Sequence, residues 1–166
     1  DNSCRRIYRS AITFDTSSLG TGATISAATF SVFGSSKFDG LTLTPNLNVY
    51  VFSGSAYNIP ASEYAIANWG STALCDTAIT YAGFSVVAYN DLALNATGLS
   101  TISKTGITKL GTRNANYDVA DSPPLFSGSQ SELVIHHSDT AGTTNDPKLV
   151  ITYTPGAGAD KFFLVF

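Results

Sequence analysis

The chain has no methionine, one tryptophan, two cysteines, two histidines and little charge of either sign. Charged residues make up 13% of the 166 positions, about half the share usual in globular domains. A net charge of −3 argues against nucleic acid as a partner, because a phosphate backbone requires a basic stripe. Arg5, Arg6 and Arg9 come nearest to one, and together on one strand they read as protection of a sheet edge. No apolar run approaches the roughly 18 residues of a membrane span. With no methionine and a start at Asp1, the chain is expected to be a processed product or a fragment.

Catalytic patterns are also missing. There is no nucleophile elbow and no phosphate-cradling loop. Only Glu63 and Glu132 stand beside ten aspartates, and several of those sit in turn contexts such as "FDTSS" and "ANYDVADSPP". His136 and His137 are adjacent on a strand pattern, so they point to opposite faces and do not share a metal. No catalytic residue, cofactor or metal ligand is assigned, and the chain reads as non-enzymatic. Calcium is the one ion the loop oxygens suit, around Asp118 and Asp121 or around Asp139, Asn145 and Asp146. Turn formation explains the same residues. Cys4 and Cys75 lack metal-ligand spacing and read as one disulfide, with two buried free thiols as the alternative. A bond closing that loop would stabilise by about 4 kcal/mol and would place the protein in an oxidising, extracellular compartment.

Serine and threonine supply about a quarter of the chain, a composition suited to a secreted β protein. Short runs alternate with period two between turn residues. In "RIYRSAITF", Tyr8, Ser10, Ile12 and Phe14 share a face. In "NLNVYVF", Leu47, Val49 and Val51 oppose Asn48, Tyr50 and Phe52. Similar runs are "ATISAATFSVFG", "TAITYA", "FSVVAYNDLALN", "GITKLGTR", "SELVIHH" and "KLVITYT". They predict an all-β, two-sheet antiparallel jelly-roll sandwich of about eight strands over residues 1–154. Inward positions should include Ile12, Phe14, Phe30, Val32, Val49, Val51, Ile79, Leu133, Ile135, Leu149 and Ile151. Two short helical plugs are expected, "ASEYAIANWG" capped by Ser62 and "NATGLSTISKTG" capped by Thr97. Asn95 heads a formal N-glycosylation triplet whose threonine doubles as that cap.

"RSAITFDTSSLGTGATISAATFSVFG" resembles the signature of DNRLRE-type jelly-roll domains of bacterial and phage surface proteins, through Arg9, Phe14, Asp15, Leu19, Ile25 and Ala28. "SEYAIANWGST" and "TNDPKLVITYT" resemble later landmarks of related domains. The resemblance spans most of residues 5–154. It implies a carbohydrate-binding-module-like jelly roll on secreted or surface proteins and names no ligand. Such domains carry a strand ahead of the "RS…FD" strand, whereas only Asp1–Arg5 could supply one here.

Residues 155–166 form a linker followed by a charge-poor, β-prone tail, Phe162, Phe163, Leu164, Val165 and Phe166. Left free, this tail is an aggregation site. It is expected to act as an exchange strand that fills a groove of the incomplete sandwich, in a neighbour or in its own chain. The expected function is a non-catalytic extracellular or cell-surface subunit, a phage particle included, that assembles with copies of itself into a filament or tube. The alternative is a carbohydrate-binding module or adhesin domain of a larger surface protein. Its glycan contacts would be Tyr117 and Trp69, with Tyr57, Tyr64 and Phe126 as further aromatic candidates.

Overall fold

The computed structural model describes residues 6–125, 128–138 and 142–157, and the backbone of 164–165. The strands run in chain order as β1 (Ser10–Asp15), β2 (Thr24–Asp39), β3 (Leu47–Val51), β4 (Tyr89–Ala93), β5 (Ile107–Asn114), β6 (Ser131–Ile135), β7 (Lys148–Thr154) and β8 (Leu164–Val165). Through β6, successive strands alternate between two antiparallel sheets. The smaller has the order β1-β5-β3; the larger has the order β4-β2-β7-β8, with β6 paired to the second half of β2. The expected all-β two-sheet sandwich is therefore the fold.

Period-two alternation explains the core. Ile12 pairs with Leu110, and Val49 with Thr112, so the inner face of the small sheet presents Ile12, Phe14, Leu110 and Val49. Phe30, Val32, Leu149 and Ile151 face them from the larger sheet and are fully buried. Phe14 meets Phe30 edge to face, with ring centroids 6.1 Å apart, the arrangement that ring quadrupoles favour. Of the remaining expected inward residues, Ile135 is buried, while Ile12, Val51, Ile79 and Leu133 pack against the core half-buried.

Three local expectations need correction. "TAITYA" forms no strand; it contributes one bridge, Ile79 to Leu47. The first helical plug is a pair of 3-10 turns, Ala61–Tyr64 and Ile66–Asn68, and Ser62 does not cap it. The second is a single helix, α1 (Ala96–Thr101), capped by Asn95 rather than Thr97: the Asn95 side-chain oxygen accepts the Gly98 N–H at 2.9 Å. Asn95 also donates to Ala73 and Asp76. Its amide is thus committed to the fold, which disfavours glycosylation there.

The second face of β3 is also covered. Asn48, Tyr50 and Phe52 are buried beneath the segment joining β3 to β4. That segment extends the sheet past β3 through Gly70 N–H to Val51 O and Leu74 N–H to Val49 O, both 2.9 Å. Bond by bond, an irregular stretch satisfies the edge strand's backbone groups.

Candidate functional site

Two features of the sandwich have chemistry beyond packing. The first is the outer edge of β7. Along its other edge β7 pairs with β2 from Thr24↔Thr154 to Ser31↔Lys148. On the outer edge, among the described residues, only Val150 and Ile151 have ladder partners, Val165 and Leu164. So the chain's own C-terminal strand is an add-on at a sheet edge. Phe162, Phe163 and Phe166 lie outside the described residues. The small sheet is open as well: among the described residues β1 pairs with β5 alone. β1 is therefore an edge strand among the described residues.

The second feature lies on the outer face of the small sheet. β5 places Gly111 and Arg113 on that face, β3 adds Tyr50, and Phe52 follows just past the end of β3. Gly111 leaves room for Trp69, since a Cβ there would come within 2.7 Å of the indole. Trp69 packs against Phe52, ring centroids 4.9 Å apart and planes tilted by 48°, and is 6% exposed. Beside it, Asp118 takes two guanidinium groups. Arg9 reaches it through Nε at 2.8 Å and Nη2 at 2.5 Å, and Arg113 through Nε at 2.9 Å and Nη2 at 3.0 Å. The remaining Arg113 donors meet carbonyls, Gly70 O at 2.6 Å, Trp69 O at 3.4 Å and Asp118 O at 3.2 Å. The Arg9 guanidinium also lies over the rings of Tyr64 and Trp69, 5.1 and 5.8 Å from their centroids.

Burial by itself raises the Asp118 carboxyl, but hydrogen bonds from Arg9 and Arg113 outweigh it and hold the pKa below the ordinary carboxylate value. The hydrogen bond to Asp118 raises Arg9 in turn. Two cations share one anion, so the cluster carries an uncompensated positive charge. A cleft of about 510 Å³ opens beside it, with Arg9, Ile66, Trp69, Ser71, Tyr117 and Asp121 among its lining.

The structure brings Trp69 and Tyr117, the two expected glycan contacts, to this one cleft. Neither is a free platform: Trp69 is buried, and the Tyr117 hydroxyl donates to Leu43 O at 3.0 Å. Tyr64 and Tyr57 are the exposed rings, at 41% and 71%. Phe126 lies outside the described residues. Arg9 is not edge protection, since its guanidinium is held in the ion cluster. Asp118 is unavailable to calcium, because both its oxygens are engaged by arginines. Asp139 is outside the described residues.

Cys75 is a buried free thiol, so the expected disulfide is not formed; Cys4 lies outside the described residues. Cys75 is packed into the hydrophobic core and is 2% exposed. Burial, with a smaller contribution from Asp76, pushes the thiol up to about 12. A thiol so placed is inert at neutral pH.

The Arg9–Asp118–Arg113 cluster was not foreseen from the sequence. Arg9 and Asp118 are 109 positions apart, and no local pattern joins them. Comparison with family models, with curated proteins and with solved structures gave no match.

Proposed function

We propose that the protein is a non-catalytic structural subunit that assembles with copies of itself outside the cell by exchanging its C-terminal strand. The observation that carries this reading is the two-residue pairing of Leu164 and Val165 with the outer edge of β7. The edge accepts this tail's backbone, and β7 is seven residues long. The same tail delivered by a neighbour meets the same acceptor groups. Exchange of an identical element costs few new contacts, and a head-to-tail arrangement propagates into an open filament unless it closes into a ring. The charge-poor, hydroxyl-rich composition supports an extracellular or surface setting.

Deletion of Lys161–Phe166 tests the reading by sizing chromatography and electron microscopy. Loss of polymers is expected, as is their capping when free tail peptide is added to the full-length chain. Polymers that persist after deletion and ignore the peptide would refute it.

A second reading, a carbohydrate-binding module of a larger surface protein, is favoured by one observation. Exposed Tyr57, Tyr64 and Ile66 belong to the segment between β3 and β4, in which Ile66 lines the charged cleft and Tyr64 lies against Arg9.

A further inference from the structure

We propose that the cleft beside Arg9 binds a carboxylate, and that its ligand is an acidic sugar. The inference rests on the second reading above and deepens it; it is independent of strand exchange.

The charge balance comes first. Arg9 and Arg113 are both held by Asp118, and among the described residues no other carboxylate hydrogen-bonds to either arginine. Buried charges are ordinarily matched, and within the buried cluster one positive charge is left over; exposed Asp121 on the same lining is paired with neither arginine. Arg113 spends its donors within the protein. Arg9 does not: of its five N–H groups, two go to Asp118 and one to Tyr64 O at 3.4 Å. Two N–H groups of a cleft-lining guanidinium therefore remain for an acceptor.

A second observation is independent of charge. The Trp69 indole nitrogen is the one buried side-chain donor or acceptor without a hydrogen bond among the described residues. Leaving such a group unpaired is costly, so natural structures seldom do so without a reason. The indole lays its six-membered ring against Gly111, which turns the nitrogen away from that contact, on a residue that lines the cleft. Arg9 and Trp69 thus offer donors only, which suits a carboxylate and not a cation.

The rim selects the rest of the ligand. Tyr64 and Ile66 present exposed apolar surface, which fits the C–H face of a sugar ring. Exposed Asp121 lies on the lining and offers acceptors to sugar hydroxyls.

The test is titration of the full chain with glucuronate, glucose and diglycine, followed by calorimetry and by the fluorescence of Trp69, the sole tryptophan. Glucuronate should bind saturably and more weakly as salt is added, while glucose should not bind. Arg9→Gln should weaken glucuronate about 10–100-fold, the range for a hydrogen bond to a charged group, and Trp69→Phe about 2–10-fold. Trp69→Phe keeps an aromatic ring on Gly111 and carries the test if Arg9→Gln does not fold. Glucose binding as well as glucuronate would overturn the carboxylate inference and leave the module reading standing. No binding of either would overturn both. Diglycine binding as tightly as glucuronate would overturn the saccharide assignment, and unchanged affinity in both variants would overturn the site.

Discussion

Replacing Asp118 by asparagine keeps the side chain's shape and removes its charge. The Asp118 and Arg113 side chains are 2% and 3% exposed, and that of Arg9 is 9% exposed. Four hydrogen bonds of 2.5–3.0 Å join the carboxylate to the two arginines. The substitution removes the anion between two guanidinium groups and turns one of its oxygens into an NH2 that faces an N–H from each arginine. Removing one partner of a buried ion pair costs about 3–5 kcal/mol. In a domain of this size that lowers Tm by roughly 6–20 °C. The effect has a pH signature. The Asp118 pKa lies below its unfolded value, so its stabilisation is present above the unfolded pKa of about 3.9 and is lost as pH falls through the folded pKa. Urea unfolding of both proteins at neutral pH and at about pH 3 measures it. The gap should be several kcal/mol at neutral pH and should narrow on acidification. A neutral-pH gap below about 1 kcal/mol, or a gap independent of pH, would refute the buried-cluster reasoning.

Gly98→Ala tests a close approach, since its Cβ would lie 2.5 Å from the Leu74 carbonyl; despite alanine's better helix propensity it should destabilise, by about 1–3 kcal/mol in urea unfolding. Asn95→Ala, which removes the cap of α1, should cost about 0.5–2 kcal/mol by the same measurement. Cys75, 2% exposed and pushed up to about 12, should resist alkylation in the native protein and react after unfolding, as mass spectrometry will show; rapid native labelling at Cys75 would contradict its burial.

The core strands were legible because alternation is a local signal. Phe14, Phe30, Val49 and Ile151 each recur at every second position of a run that fits one sheet face. The same rule puts Tyr50 and Phe52 on the opposite face and says nothing of their burial. Alternation gives two faces but does not say whether a later segment covers the outer one. Here the covering segment is irregular, and Trp69, Leu74 and Phe84 are buried within it without any period to mark them. Asn95 was overlooked as a cap because Thr97 looked equally suitable, and only the bond to Gly98 decides between them. The charged cluster is wholly tertiary: Asp118 reads as a turn residue until the sandwich brings Arg9 beside it. The tail was conspicuous from composition alone, since a charge-poor run of apolar residues requires a cover. Which edge received it depended on the register of β7.

Strand exchange is tested most directly by crosslinking between chains at the Val150–Val165 pair. Two single variants, Val150→Cys and Val165→Cys, both with Cys4 and Cys75 replaced by serine, are mixed, allowed to assemble and treated with a short bismaleimide. Exchange predicts a crosslinked heterodimer from the mixture, at positions confirmed by mass spectrometry. A crosslink found solely within one chain of the double variant, with none between chains in the mixture, would contradict it.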